Sequence, residues 1–245
     1  MSRASVLEPS VVVQTAMGIE FEALRSGLDR VDGTLDVAGR AAVSGVMGDI
    51  SLVLVKGGWG KVMAAASCQA ALDRFHPFLV VDCGTAGGLT DDLQVGDLFV
   101  AESVLDAAMQ TTWAATLVAS DGLRELLQSC GRSFPCHRGA LLNLEQTVDS
   151  RVERDRWRRL GFDAVAWEPF GLLKTAETNG VSALSLRVVS DMADEDVVET
   201  FQSHRTRFLE RLAHALRSLL MCWTRWRDVS GRSLSWSHPS REAHS

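Results

Sequence analysis

The sequence lacks the features of a membrane protein or a nucleic-acid-binding protein. No apolar run approaches the about 18 residues that a membrane span requires, and the opening residues MSRASVLEPS contain no hydrophobic region of a secretory signal. There is no excess of basic residues: 25 Lys and Arg face 31 Asp and Glu, for a net charge of -6. Because nucleic acids and anionic membranes bind basic patches, neither is expected as a partner. The composition favours a small-molecule protein.

Motifs built on cysteine, histidine or phosphate-binding loops are also missing. The five cysteines include no CxxC pair, which predicts free thiols in a reducing cytoplasm. The six histidines form no HExxH or HxH pattern, so neither a metal nor a cofactor is expected. GxGxxG, GxxxxGK[ST] and GxSxG do not occur, which argues against Rossmann, P-loop and nucleophile-elbow sites. Tyrosine is absent while tryptophan occurs seven times, which nothing in the sequence explains.

What is present is the composition of a globular domain. Hydrophobic residues make up 46% and charged residues 23% of 245 residues, and the length corresponds to about 1.6 average domains. Short apolar strands alternate with helices, a pattern typical of a sheet covered on both faces. We predict one three-layer α/β/α domain over residues 10–228 with a central mixed, mainly parallel twisted sheet. A disordered tail rich in Ser, Arg and His is expected over residues 229–245.

Periodicity places the predicted elements along the chain. Strands are predicted at 11–13, 41–46, 51–55, 78–81, 98–100, 139–142, 164–166 and 181–190, and helices from 20 and at 62–74, 121–128, 151–159, 171–178 and 201–226. Asp121 is expected to cap the third helix. The glycine-rich CGTAGGL, residues 83–89, is interpreted as a loop that follows a strand.

Ionisable residues recur where predicted strands end, which is where open α/β sheets bind ligands. Glu20, Glu168 and Asp191 would converge on one glycine-lined cleft, and burial can keep one carboxylate protonated while another stays charged. Two of them have an ordinary alternative: Glu20 as a first-turn glutamate and Asp191 as a helix cap. Lys61 is interpreted as a solvated lysine at a helix start. Cys83 could be a nucleophile, but no local base accompanies it, and a buried core thiol is favoured.

Six segments together resemble a known family. They are AMGIE (16–20), KGGWGK (56–61), CGTAGGL with the following VGDLFVAE (95–102), AWE (166–168) and RVVSDMAD (187–194). In this order they resemble the nucleoside phosphorylase superfamily, specifically its methylthioadenosine/S-adenosylhomocysteine nucleosidase branch, over roughly residues 10 to 215.

The resemblance implies roles for particular residues. Asp191 would protonate the purine at N7, Glu20 would orient or deprotonate the attacking water, and Glu168 would accept hydrogen bonds from the ribose hydroxyls. Trp167 would stack on the ligand and Phe201 would cap the base. The remaining residues expected to border the substrate are Met17, Trp59, Thr85, Ala86, Gly87, Gln146, Thr147, Val148 and Ser190. The resemblance also implies a homodimer in which the neighbouring subunit contributes to the pocket.

The expected reaction is hydrolysis of the N-glycosidic bond of a 5′-substituted, adenosine-type nucleoside to a free base and a ribose derivative. Phosphorolytic relatives bind phosphate through arginines that the corresponding loops of this chain lack, and Asp82 would repel a dianion. Ala166, Trp167 and Pro169 depart from the family pattern, so the 5′ substituent stays open, including aminofutalosine-like, adenosylhopane-like and secondary-metabolite nucleosides. A phosphate-dependent phosphorylase and a non-catalytic nucleoside-binding protein of the same fold remain alternatives.

Overall fold

The computed structural model describes residues 10–109 and 115–239, which form a mixed sheet with helices on both faces. Its strands are β1 Val11–Thr15, β2 Arg30–Val37, β3 Arg40–Met47, β4 Ile50–Lys56, β5 Leu79–Gly88, β6 Leu98–Asp106, β7 Thr116–Ala119, β8 His137–Asn143, β9 Ala164–Ala166, β10 Ser182–Asp191 and β11 Trp236–Ser237. Its α-helices are α1 Gly18–Ser26, α2 Gly60–Phe75, α3 Asp121–Cys130, α4 Arg151–Arg159, α5 Pro169–Thr178 and α6 Val197–Ser230. This confirms the predicted α/β class.

The sheet is parallel at its centre, antiparallel on the side of β2 and β3, and mixed on the side of β6, β8 and β9. Strands β4, β1, β5 and β10 lie side by side in parallel, and β2–β3–β4 form an antiparallel meander. On the other side, β10 pairs with β6, β6 with β8, β8 with β9 and β9 with β5, so these five strands close into a ring. This closure was not predicted. It brings the ends of β5, β9 and β10 to one place.

Two apolar cores lie on opposite faces of the sheet. Along β1, Val11 and Val13 pack into the core formed with α1, α3 and α6, while Val12 packs into the core formed with α2 and α5. This alternation follows from the two-residue period of a strand. Helices α2 and α5 pack so closely that a Cβ atom on Gly171 would lie 2.1 Å from the Lys61 carbonyl oxygen. The close contact holds the amino ends of both helices beside β9.

Three local predictions are corrected by the structure. The segment read as a glycine-rich loop is the second half of β5, because pairing with β10 and then β9 continues through Gly88. Ser120, not Asp121, occupies the cap position of α3, and Asp121 is the first helical residue. Strand β2 was not predicted, since its polar and charged side chains lie at the exposed edge of the meander.

The predicted tail is also corrected, for the part that the structure describes. Helix α6 continues to Ser230, and the chain then returns along the sheet edge, where β11 pairs with β7. Leu234 and Trp236 are buried, and the Trp236 indole N–H donates to the Ala183 carbonyl at 2.9 Å. Two apolar anchors therefore order a segment whose average composition is polar. Residues 240–245 of the predicted tail lie outside the described residues.

None of the helices in residues 10–109 and 115–239 combines the length and apolar character needed to cross a bilayer.

Candidate active site

A cavity of about 260 Å³ lies where β1, β5 and β10 end, next to β9 and the amino end of α2. All fourteen residues predicted for the site line it. They are Met17, Glu20, Trp59, Thr85, Ala86, Gly87, Gln146, Thr147, Val148, Trp167, Glu168, Ser190, Asp191 and Phe201. The lining also includes Ala16, Val165, Ala166 and Val197. The structure therefore brings the predicted residues together, while the chemical role of each stays a prediction.

Glu20 is a buried carboxylate held by four donors. Its Oε2 accepts hydrogen bonds from the backbone N–H groups of Met17 (2.9 Å) and Ala16 (3.2 Å), and its Oε1 accepts from the backbone N–H (2.8 Å) and hydroxyl (3.1 Å) of Thr85. Burial raises the pKa of Glu20, although the Met17 N–H and the charge of Arg187 oppose this. The bonds to Thr85 connect α1 to β5, which a simple first-turn glutamate would not do.

Glu168 lies between β9 and α5 and is fixed by the amino end of a different helix. Its Oε1 accepts a hydrogen bond of 2.9 Å from the backbone N–H of Gly60, the first residue of α2. The amino end of a helix favours a nearby negative charge, and the hydrogen bond from Gly60 holds the Glu168 carboxylate in place at the edge of the cavity. Burial nevertheless raises the pKa of Glu168 to about 7, against the opposing charge of Arg187 and the Gly60 N–H.

Asp191 ends β10 and does not cap a helix, because α6 begins six residues later at Val197. Its Oδ2 accepts from the Ser190 hydroxyl at 2.7 Å and its Oδ1 from the Ala193 backbone N–H at 3.0 Å. Burial raises the pKa of Asp191, although these two donors oppose the shift. A buried aspartate that retains a proton more readily than usual can serve as an acid.

The glycines of β5 create the space for these charged groups. A Cβ atom on Gly84 would lie 2.8 Å from Arg187 Nη1 and 2.9 Å from Glu20 Oε1, and one on Gly87 would lie 3.1 Å from Asp191 Oδ1. A side chain at Gly84 would therefore displace the ionic groups themselves. Glycine is therefore required at these positions because side chains from other elements occupy the space that a Cβ atom would fill, although the backbone of residues 84–88 is an ordinary part of strand β5.

Two buried charged residues of the site form an ion pair that was not predicted from the sequence. Arg187 on β10 is 2% exposed and Asp82 on β5 is 3% exposed. Arg187 Nη2 donates to Asp82 Oδ2, while Nη1 lies 3.8 Å from Glu168 Oε2. The available signal was a charged residue inside each of two apolar strands, since a charge in a central strand needs a partner. Asp82 is thus paired, which corrects the expectation that it faces a phosphate subsite as a free negative charge.

The other ionisable candidates lie apart from the cavity. Lys61 Nζ is 2.8 Å from both carboxylate oxygens of Asp106, so it forms an ion pair and is not simply solvated, as the sequence suggested. Cys83 is fully buried and does not line the cavity, and burial raises its thiol pKa well above the ordinary value. Within the described ranges, no group of three or more His, Cys, Asp or Glu side chains has the arrangement of a metal site.

Two tryptophans form the wall at one end of the cavity. The rings of Trp59 and Trp167 meet edge to face, with centroids 6.2 Å apart and planes at 89°. Trp59 is 64% exposed. A second, outer groove of about 670 Å³ shares Trp59 and Met17 with the cavity and is also lined by Gly18, Ile19, Phe21, Glu22, Ala41 and Lys56. The groove therefore adjoins the cavity at Trp59 and Met17.

Comparisons with known proteins agree with this architecture. The family model described as the phosphorylase superfamily matches residues 10–221. The 5′-methylthioadenosine/S-adenosylhomocysteine nucleosidase of Geobacillus kaustophilus is 29% identical over 223 residues, which cover 84% of this chain and 92% of the relative. The enzyme of the same name from Oceanobacillus iheyensis is 37% identical over 97 residues, covering 40% of this chain and 42% of the relative.

Solved structures share the fold. The methylthioadenosine/S-adenosylhomocysteine nucleosidase of Neisseria meningitidis, in complex with methylthio-immucillin-A, superposes with a TM-score of 0.77 at 24% identity and covers 86% of this chain and 97% of its own. Futalosine hydrolase of Helicobacter pylori superposes with a TM-score of 0.78 at 20% identity and covers 87% of this chain and 98% of its own.

Proposed function

This chain belongs to the phosphorylase superfamily, and from that premise we propose that it is a purine nucleosidase. It hydrolyses the N-glycosidic bond of a 5′-substituted, adenosine-type nucleoside and releases the free base. The observation that carries the proposal is the set of three buried carboxylates, Glu20, Glu168 and Asp191, around one cavity. Relatives that cover most of the chain are named as nucleosidases, which supports the same reaction class.

Asp191 acts at the base. The purine lies between Asp191 and Phe201, and the aspartic acid donates its proton to N7 as the bond from C1′ to N9 lengthens. Ser190 and Ala193 hold the carboxyl group in place through the hydrogen bonds described above. Protonation makes the base a neutral leaving group, so the electron pair of the breaking bond moves to it without a build-up of negative charge.

Glu20 and Glu168 act at the sugar. The ribose becomes oxocarbenium-like, and the two carboxylates stabilise that positive charge. Glu168 accepts hydrogen bonds from the ribose hydroxyls, and Glu20 takes one proton from the water that adds to C1′. The products are the free base and a ribose derivative with a hydroxyl group at C1′. The same negative charge disfavours phosphate as the nucleophile, and the described lining of the cavity contains neither Arg nor Lys.

The tryptophan wall supports a substrate with a 5′ substituent. A purine at Asp191 and ribose hydroxyls at Glu168 direct the 5′ end of the nucleoside toward Trp59 and Met17. There the cavity adjoins the outer groove. We expect an apolar or thioether substituent at this end, because it removes the indole faces from water.

We further propose that the protein is a cytoplasmic homodimer. Trp59, Val62 and Met63 are exposed by 64%, 70% and 42% beside the cavity, and a second subunit would cover this apolar surface. The five cysteines are free thiols, which fits a reducing compartment. Sedimentation equilibrium would test the dimer, and a monomer at micromolar concentration would contradict it.

Release of free base, followed by chromatography, tests the function. The substrates are adenosine, methylthioadenosine, S-adenosylhomocysteine and aminofutalosine, each with and without phosphate. We expect release without phosphate, at a rate at least about 10³-fold lower in Asp191→Asn and unchanged in the exposed control Asp196→Asn. Release only with phosphate would identify a phosphorylase. Tight binding by calorimetry without any release would identify a binding protein, and an equally active Asp191→Asn would overturn the role of the acid.

A further inference from the structure

Asp82 and Arg187 form a buried ion pair directly beneath the cavity. They lie on the neighbouring parallel strands β5 and β10, where Ser185 is the register partner of Asp82. The Ser185 hydroxyl donates to Asp82 Oδ2 at 2.7 Å and accepts from Arg187 Nε at 3.2 Å. Neither charged residue lines the cavity. The pair therefore lies behind the residues that line the cavity and would not contact a ligand bound there.

The contacts of Arg187 determine which part of its guanidinium reaches the site. A guanidinium has five N–H donors in a rigid plane, so fixing two of its nitrogens fixes the third. Asp82 accepts from Nη2 and Ser185 from Nε, which leaves Nη1 directed at the Thr85 carbonyl (3.3 Å) and at Glu168 (3.8 Å). Thr85 is also the residue that donates two hydrogen bonds to Glu20. The orientation of Arg187 is therefore transmitted to both carboxylates at the sugar.

The charges of this cluster do not cancel. When all groups are ionised, three carboxylates, those of Glu20, Asp82 and Glu168, face the single guanidinium of Arg187. Asp82 is in direct contact with Arg187 and balances it, so the remaining negative charge belongs to Glu20 and Glu168. Without Asp82, the full positive charge of Arg187 would act on those two carboxylates in a buried setting, where charges are poorly screened.

We infer that Asp82 is a positioning residue for the proposed hydrolysis: it fixes the Arg187 guanidinium and balances its charge, so that Glu20 and Glu168 keep a net negative charge at the sugar. The inference rests on the proposed function. That negative charge serves two steps. It stabilises the positive sugar in the transition state, and it keeps Glu20 basic enough to take a proton from water.

A pH profile distinguishes this role from a purely structural one. Asp82→Asn keeps the shape and one hydrogen-bond acceptor but removes the charge. Arg187 would then lower the pKa of Glu20, so the acid limb of kcat/KM is expected to move to lower pH by about one unit. We expect kcat at the optimum to fall by about tenfold, with KM changed by less than about threefold, because the charge matters most in the transition state.

Other ionisable groups near Asp82 and Arg187 could also contribute to the acid limb of the pH profile. The ionisable groups that face the pair are Glu20 from α1, Cys68 from α2, Cys83 on β5 and Glu168 before α5. Both thiols have their pKa raised by burial, Cys68 to about 12 and Cys83 well above its ordinary value. Neither thiol titrates in the acid limb, so the limb reports the carboxylates.

Two further variants serve as controls. Ser185→Ala removes the hydroxyl that bridges the pair but no charge, and its acid limb is expected to stay within about 0.3 units of wild type. Asp82→Asn/Arg187→Gln removes both charges and restores the wild-type net charge. Its acid limb is expected to return toward the wild-type position even though kcat remains low. Circular dichroism establishes that each variant is folded.

The outcomes separate this inference from the proposed function. If wild type releases base but Asp82→Asn leaves the acid limb in place, the inference is overturned and the function stands. The inference is also overturned if the acid limb of Asp82→Asn/Arg187→Gln does not return toward its wild-type position. If wild type releases no base from any purine nucleoside, the proposed function fails first. If Asp82→Asn does not fold, the double variant is compared with Arg187→Gln, where loss of the Asp82 charge must again move the limb to lower pH.

Discussion

Strands β5 and β10 run side by side in parallel, and each has apolar residues near its amino end and buries polar or charged residues from Asp82 or Ser185 onward. Their amino halves bury Leu79, Val80 and Val81 against Ala183 and Leu184, none of them more than 1% exposed. Toward their carboxyl ends they also bury Asp82, Ser185, Arg187, Ser190 and Asp191, which are almost as inaccessible. The same backbone pairing thus supports a hydrophobic core at one end and an ionic site at the other.

The two halves differ in what burial does to the protein. Burial of apolar groups in the amino half stabilises the fold, at about 25 cal/mol for each Å² removed from water. Burial of the carboxylates of Glu20, Glu168 and Asp191 around the carboxyl ends of these strands opposes folding and raises the pKa of each. The protein therefore holds its proposed reactive groups in a destabilised state and compensates with the core below them. Substitutions in the two halves should separate activity from stability.

The largest effect is expected for Glu20→Gln. The amide keeps the size of the side chain but cannot accept a proton from water, so we expect kcat to fall by about 10³-fold. The free energy of unfolding should change little, because removal of a buried charge is offset by the loss of two of the four hydrogen bonds that the carboxylate accepts. Rates of base release and urea unfolding measure the two effects. Glu210→Gln, at an exposed position of α6 outside both the cavity and the groove, is the matched control and should change neither. A Glu20→Gln variant with wild-type kcat would contradict the division into two halves.

The opposite result is expected for Leu184→Ala in the amino half. Leu184 is fully buried opposite Val81, and its truncation leaves a cavity that should lower the free energy of unfolding by about 2–4 kcal/mol. Per folded molecule, kcat should stay within about threefold of wild type. Leu160→Ala, at a residue that is 61% exposed, controls for loss of a leucine and should cost less than about 0.5 kcal/mol. A large loss of kcat in Leu184→Ala would show that the core and the site are not separable.

A smaller change in the free energy of unfolding, opposite in sign to that of Leu184→Ala, is expected for Glu168→Gln. Burial raises the pKa of Glu168 to about 7, so the folded protein binds a proton that the unfolded chain has lost above about pH 4.5. Its contribution to stability is therefore complete below about pH 4.5 and is lost as the pH rises through 7. At pH 8 the neutral amide should raise the free energy of unfolding by about 2 kcal/mol and should weaken substrate binding.

The comparison of pH values makes this prediction specific. At pH 5 wild type is already protonated at Glu168, so the stabilisation by Glu168→Gln should nearly vanish there. Glu145→Gln is the matched control, since Glu145 is exposed and accepts from the next residue of the same helix end, Lys61, at 2.8 Å. Thermal unfolding at pH 5 and pH 8 measures all three proteins. An equal effect of Glu168→Gln at both pH values would mean that the carboxylate is not destabilised by burial.

The apolar half of this comparison could be predicted from the sequence more readily than the charged half. Apolar runs such as Val11–Val13 and Phe78–Val81 predict buried strands. The carboxylates at strand ends could be predicted because open α/β sheets bind ligands at the carboxyl ends of their strands. The pairing of Asp82 with Arg187 was not predicted, because it depends on the register of strands far apart in the chain. The glycines of β5 were predicted to form a loop for a related reason. Glycine is needed there because side chains from other elements approach the strand, which the local sequence does not show.

The C-terminal segment illustrates a further limit of composition. Averaged over residues 229–245 the chain is polar, and averages predict disorder. Leu234 and Trp236 each occupy a specific site on the sheet edge that no local pattern reveals. These two buried side chains and the backbone hydrogen bonds of Leu234 and Ser235 hold the described part of this segment against the sheet.

The parallel pairing of β5 with β10 also has a consequence for the order in which the molecule assembles. Asp82 and its hydrogen-bond partner Ser185 are separated by 103 residues, and a loop of that length closes slowly. On a ribosome, β1, β4 and β5 emerge together and can pair before β10 has been synthesised. We expect the apolar core of the early strands to form first and the ionic groups to meet only when β10 docks. Catalytic competence would then be the last property that the folding chain acquires.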